Sequence, residues 1–173
     1  MTNGQTQPQT LLAINTALLE AYLAGNQSDK AVALAQQLHA ADPNNAQITN
    51  ILASVYLDRA THAATPAEAV ADYEQVAQLV PDKAAVSYEN AAVALGNAAK
   101  TADEFKAALA ELKKALALVP NDAQANYTAA VLSGNAGDSA SARAYLATAK
   151  TNVGDNLELA AKINDLGKKL GPK

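Results

Sequence analysis

Leu116-Ala117-Leu118-Val119-Pro120-Asn121-Asp122-Ala123 reads as a helix that is stopped and at once restarted. Alternating Leu and Ala carry the helix. Pro120 has no N–H to donate and disfavours helix at the residue before it, and Asn121-Asp122 offers side-chain oxygens to the start of the next helix. The same sentence occurs twice upstream, as Leu38-His39-Ala40-Ala41-Asp42-Pro43-Asn44-Asn45-Ala46 and as Ala77-Gln78-Leu79-Val80-Pro81-Asp82-Lys83-Ala84. The three prolines are 38 and 39 residues apart. A period of this size is the signature of stacked helical hairpins, none of which can bury its apolar face alone.

The rest of the chain fits that reading. Its 173 residues are enough for one compact domain or one short repeat array. Alanine occupies 43 positions, Trp is absent, and helix-favouring residues dominate, so the predicted class is all-α with a core of small side chains. Such a core lets helices approach closely but yields modest stabilisation per residue, about 25 cal/mol per Å² of apolar area. A net charge of −4 with scattered basic residues argues against a nucleic-acid partner, which needs clustered Lys and Arg. Cysteine is absent, which removes disulfides and thiolate metal sites and leaves the compartment open between cytoplasmic and periplasmic or exported. No apolar run approaches a membrane span, and the polar start, Met1 to Thr10, lacks the charged and apolar regions of a signal peptide.

Working outward from the prolines, residues 1–10 are expected to be a flexible polar segment and 11–173 a helical repeat domain. Its units fall at about 11–43, 44–81, 82–120 and 121–151. In the first, Leu11, Leu12, Ile14, Leu18, Leu19, Tyr22 and Leu23 recur at helical spacing, Gly25-Asn26 offers a helix end, and Ser28 or Asp29 a cap for the next helix. In the second, Ile48, Leu52, Val55 and Tyr56 are expected to face inward, and Thr65-Pro66 to open the partner helix. The third carries Phe105, Leu109, Leu112 and Leu116 after a turn near Thr101, and the fourth turns at Gly134-Asn135-Ala136-Gly137-Asp138. A more charged helix over about 155–170 is expected to close the array with a polar outer face.

These units resemble the tetratricopeptide repeat family, whose pattern places a Leu–small pair and then an aromatic on the first helix, small residues on the second, and a Pro after it. Leu52-Ala53, Tyr56, Ala69, Tyr73 and Pro81 match in the second unit; Leu18, Tyr22, Ala31, Ala35 and Pro43 in the first. In the third, Asn90-Ala91 and Ala94 stand in those first-helix places, followed by Ala108, Leu112, Ala115 and Pro120; in the fourth, Ala129-Ala130 and Ser133, then Ala142, Leu146 and Ala149. The resemblance implies a right-handed α-solenoid of about four antiparallel hairpins with a C-terminal capping helix. Middle units of 38 and 39 residues exceed the family's usual length by an added helical turn or a longer loop within each hairpin.

The chain shows no constellation for catalysis, metal or cofactor. His39 and His62 lack further ligands at a metal-binding spacing, no phosphate-cradling or nucleophile-elbow motif occurs, and Gly134 to Gly137 follows no strand. Asp103-Glu104 opens a helix, where its charge suits the dipole, and Glu68 with Asp72 is expected on an exposed face. Two Asn-x-Ser/Thr sequons start at Asn26 and Asn126, about as many as chance supplies.

What remains is surface. In the family the first helix of each hairpin lines a concave groove. Carried over by phase, this face is Thr16 and Glu20; Gln47, Asn50, Ser54 and Asp58; Tyr88 and Glu89; and Gln124, Tyr127 and Val131. Amides can bond an extended backbone, tyrosines give contact area, and Glu20, Asp58 and Glu89 favour a neutral or basic ligand. Members that hold an acidic peptide terminus do so with Lys, Arg and Asn, where this chain has Thr16, Asn50, Ala85 and Glu89. The expected function is therefore a non-enzymatic scaffold binding a protein or peptide segment. The alternative is a self-assembling subunit, since unlike ends meeting head to tail build oligomers or filaments.

Overall fold

The computed structural model describes residues 6–171, with side chains from 11 onward. Among these residues there are nine α-helices: α1 (Thr6–Ala24), α2 (Ser28–Ala41), α3 (Ala46–Thr61), α4 (Pro66–Leu79), α5 (Ala84–Ala98), α6 (Ala102–Leu118), α7 (Ala123–Asn135), α8 (Ser139–Asn152) and α9 (Leu157–Leu170). Each helix packs on the next, α7 also touches α5 and α9, and helices farther apart in sequence form no extensive contact. This is the contact pattern of a solenoid. The first helix begins at Thr6, inside the segment expected to be flexible.

The three prolines end equivalent helices. The residue before each, Asp42, Val80 and Val119, leaves the helix with φ −144, −131 and −131° and ψ 77, 85 and 80°, while its N–H still reaches the carbonyl four residues back. Proline then prevents the helix from continuing. At the hairpin turns, Thr65 and Thr101 form reciprocal capping boxes with Glu68 and Glu104, as Thr-x-x-Glu predicts. The tight turns of the first and fourth hairpins end in one motif. Gln27 N–H reaches Tyr22 at 2.8 Å and Asn26 N–H reaches Leu23 at 3.0 Å, mirrored by Asp138 to Ser133 at 2.9 Å and Gly137 to Gly134 at 3.0 Å. Neither Ser28 nor Asp29 caps α2; Gln27 takes the cap position without a side-chain bond, because Ser28 is already helical. The extra length of the middle units is helix: α3 has 16 residues against 13 in α7, and α6 has 17 against 14 in α8.

The core is thin and alanine-lined. Ala31, Ala35, Ala91, Ala92, Ala108, Ala129, Ala130, Ala142 and Ala149 are wholly inaccessible, and Leu52, Val76, Leu112, Leu132 and Ile163 fill the space between them. Four clusters follow one another along the array rather than merging into one centre. Two polar ties add to them. Lys114 on α6 donates to Glu74 on α4 at 2.7 Å and to Glu111 at 2.8 Å, and Gln36 on α2 donates to the Tyr56 hydroxyl on α3 at 2.6 Å. The final helix packs Leu159 and Ile163 inward and turns Lys162, Asn164, Asp165, Lys168 and Lys169 to solvent, as a cap requires.

Candidate binding site

The first and third helices form the walls of an open cleft of about 600 Å³. Five of the residues picked from sequence line it together: Thr16 and Glu20 from α1, Gln47, Asn50 and Ser54 from α3. Leu19, Leu23, Ile51 and Val55 make its apolar floor. The Thr16 hydroxyl donates to the Leu12 carbonyl at 2.9 Å and that of Ser54 to Asn50 at 2.8 Å, so their protons are spent within the helix and their oxygens remain as acceptors. Glu20, Gln47 and Asn50 are exposed. The cleft thus offers amides and a carboxylate above an aliphatic base.

The other candidates are spread along the array. Asp58 lies one turn beyond the cleft, beside His62, whose Nδ1 donates to the Asp58 carbonyl at 2.9 Å and sits 3.8 Å from its carboxylate. On α7, Gln124 is exposed and its amide reaches the Thr128 hydroxyl at 3.5 Å, while Val131 is half-buried. Tyr127 packs into the cluster shared with α8 and α9.

Tyr88 differs from the expectation. It packs beside Leu112 and Ala92 in the core of the third hairpin, with the Lys114 ammonium 5.4 Å from its ring centre. The cause is one residue. Five positions separate Pro43 from the first inward residue of α3, Ile48, and five separate Pro120 from Ala125; Pro81 and its counterpart Ser87 are six apart. A short 3₁₀ turn, Pro81–Lys83, absorbs the added residue before α5 begins. The Leu–small positions are therefore Ala91-Ala92, with Leu95 in the aromatic place, and the exposed face of α5 is Val86, Glu89, Val93 and Asn97. Val86 at 61% and Val93 at 39% exposure were missed by the sequence reading; the six-residue spacing after Pro81 is the signal that finds them. Glu89 keeps its place on this face, half-buried. Burial pushes its carboxyl above the ordinary range, and the nearby carboxylate of Asp122 adds to the effect.

Elsewhere the polar residues serve the fold. Asp72, expected at the surface, is buried, because Arg59 from α3 reaches it with two bonds of 2.8 Å. His39 Nδ1 lies 3.4 Å from the Thr49 hydroxyl. No group of three or more His, Cys, Asp or Glu among the described residues is arranged to hold a metal ion, and no described helix is long and apolar enough to cross a membrane. The Asn126 amide is buried and donates to the Pro120 and Asp122 carbonyls at 2.9 and 2.8 Å, which makes that sequon part of a helix start.

No protein-family model matches the sequence, and comparison with curated proteins returns no match. Solved structures do match. A thermophilic TPR protein from Thermus thermophilus, TTC0263, aligns over 92% of this chain and 82% of its own at 20% identity, with a TM-score of 0.51. The fold is that of the tetratricopeptide-repeat proteins. A MamA protein aligns over 91% of this chain and 85% of its own at 20% identity and a TM-score of 0.53. The MamA RS-1 ArsTM double mutant covers 93% and 97% at 15% identity and 0.54. At these identities the likeness is one of architecture alone, an α-solenoid of stacked helical hairpins.

Proposed function

We propose that the chain is a non-enzymatic scaffold that binds a neutral or basic protein segment along the wall formed by α1, α3, α5 and α7. The observation that carries this is the α1–α3 cleft, where Thr16, Glu20, Gln47, Asn50 and Ser54 converge over an aliphatic floor. Unspent amides there can bond a peptide backbone, and the floor accepts apolar side chains. Charge sets the class of ligand. Of the Lys and Arg side chains, the described residues of these four helices hold only Arg59, which is turned away into Asp72 and Asp29, while Glu20, Asp58 and Glu89 supply negative charge. An acidic segment would be repelled. A photoreactive amino acid at position 50, introduced in cells, should crosslink to a discrete protein. The same residue at Ala110, exposed on α6, should not. Equal capture from both positions sinks the reading.

A second reading, self-association, is supported by α1. Its Leu11, Ile14 and Leu18 are 60%, 58% and 40% exposed. By register Ile14 and Leu18 correspond to Ile48 and Leu52 of α3, which are 6% and 4% exposed because the preceding hairpin covers them. The first hairpin has no described neighbour on that side, and a second copy would supply one. Sedimentation velocity over a hundredfold concentration range tests this: Leu18→Glu should shift the chain to monomer, and a wild type that is monomeric throughout removes the reading.

A further inference from the structure

We infer that the middle of the binding wall, at Val86, Glu89 and Val93, is a seat for a lysine or arginine side chain of the bound segment, with that segment's apolar residues resting on the two valines. This rests on the scaffold reading above and goes beyond it, by fixing where charge is read and by which residue.

Register places the seat. Val86, Glu89 and Val93 are the counterparts on α5 of Gln47, Asn50 and Ser54 on α3, and of Gln124, Tyr127 and Val131 on α7. They lie three before and four after one another, hence on one strip of the helix. The strip is apolar at both ends and charged in the middle. Val86 and Val93 are large exposed aliphatic side chains on a helix that otherwise buries Ala84, Ser87, Ala91 and Ala92.

Glu89 is the anomaly. It is half-buried, and among the described residues it makes no hydrogen bond and no ion pair. The charge it feels most is the like charge of Asp122, at the cap of α7. Among the described residues no cation forms an ion pair with it. Neither α5 nor α7 contains Lys or Arg, and Lys114, whose ammonium lies over the Tyr88 ring, is held by Glu74 and Glu111. A partly desolvated carboxylate without a counter-ion is costly, and it gains most from a cation brought by a ligand. Lysine and arginine suit the surroundings as well as the charge, because their methylene stems lie on apolar surface while the head reaches the acid. A free ammonium ion has no stem to use the valines, and an acidic or purely polar segment uses neither feature.

The test is a selection from a random twelve-residue peptide display library on the full chain, in three forms: wild type, Glu89→Gln and Val93→Asp. The seat predicts that wild type enriches peptides with Lys or Arg flanked by apolar residues three or four positions away, and that Val93→Asp loses them. Glu89→Gln should still enrich apolar peptides but drop the basic residue. For one selected peptide, replacing its Lys by norleucine should weaken binding roughly five- to tenfold on wild type and leave it unchanged on Glu89→Gln. A wild-type consensus without a basic residue, or a lysine whose contribution is the same on both proteins, overturns the seat while leaving groove binding intact. A library that enriches nothing on wild type, together with no crosslink from position 50, overturns the scaffold reading and the seat with it.

Discussion

Arg59 closes on Asp72 in a two-pronged grip: Nε donates to one carboxylate oxygen and Nη2 to the other, both at 2.8 Å. Nη1 reaches Asp29, at the start of α2, at 2.9 Å. One guanidinium on α3 therefore ties the second helices of two successive hairpins. These bonds, that to Asp72 first, hold the guanidinium further above its ordinary pKa. The two acids are not equal. The Asp72 side chain is 5% exposed and that of Asp29 is 93% exposed. Asp72→Ala leaves a partly buried cation without its partner and should cost about 2–4 kcal/mol, whereas Asp29→Ala should cost less than about 1 kcal/mol. Arg59→Lys should not restore the loss, since an ammonium cannot make both bonds. Urea unfolding monitored by circular dichroism reads all three; equal effects of Asp29→Ala and Asp72→Ala would contradict this account.

Ser133 occupies, in the fourth unit, the place that Tyr56 fills in the second. Tyr56 is anchored there by the Gln36 amide at 2.6 Å and by the Arg59 guanidinium, 5.7 Å from its ring centre. Ser133 is wholly buried and its hydroxyl has no partner among the described residues. A buried hydroxyl left unbonded costs about 1–3 kcal/mol. Ser133→Ala should therefore stabilise the chain by about 1 kcal/mol, seen as a higher urea midpoint with an unchanged slope. A loss of stability would mean that the hydroxyl is bonded in solution.

The turn at Gly137 isolates a pure backbone effect. Its φ is +85°, and a Cβ built there would meet nothing within 4 Å. Gly137→Ala should thus cost about 1 kcal/mol through conformation alone, with no clash to relax. The matching turn in the first hairpin uses Asn26 at φ 54°. Asparagine tolerates that region better than alanine and worse than glycine. Asn26→Gly should be neutral or slightly stabilising, and Asn26→Ala should lose about half of what Gly137→Ala loses. Thermal unfolding of the three variants orders them; a harmless Gly137→Ala would refute the turn assignment.

What was legible from sequence was local chemistry. Thr65-Pro66 as a helix start, the three prolines, and the turn at Gly137 each act within four or five residues of themselves, so their roles are written beside them. The cleft residues of α1 and α3 were legible because those helices keep the spacing of the repeat. Two features were not. Asp72 looks like a surface acid until the fold brings Arg59, 13 residues earlier on another helix, to its side. Tyr88 looks like a groove residue until the 3₁₀ turn at Pro81–Lys83 rotates α5 by one position. A single residue is worth about 100° around a helix, enough to put Glu89 in the place expected of Tyr88 on the exposed wall.

Glu89 gives the array a pH-dependent weakness. Burial, and then Asp122, raise its carboxyl above the ordinary range. The native state therefore holds a proton that the unfolded chain releases more readily. It follows that Glu89 favours folding most below the ordinary glutamate range, near about pH 4, and that this contribution is lost as pH rises through the native value. Glu89→Gln mimics the protonated form at every pH. At neutral pH it should be more stable than wild type by about a few tenths of a kcal/mol, since solvent screens a half-exposed group. At about pH 3.5, where Glu89 is largely protonated in the folded and the unfolded chain alike, the difference should vanish. Asp122→Ala is the control. It also removes the like charge, but it sacrifices the cap bond from the Ala125 N–H at 2.8 Å, so a gain from Glu89→Gln should meet a loss from Asp122→Ala at neutral pH. Paired urea titrations at acid and neutral pH decide the matter: a stabilisation by Glu89→Gln that is larger at the acid end reverses the sign argued here and removes Glu89 as an uncompensated charge.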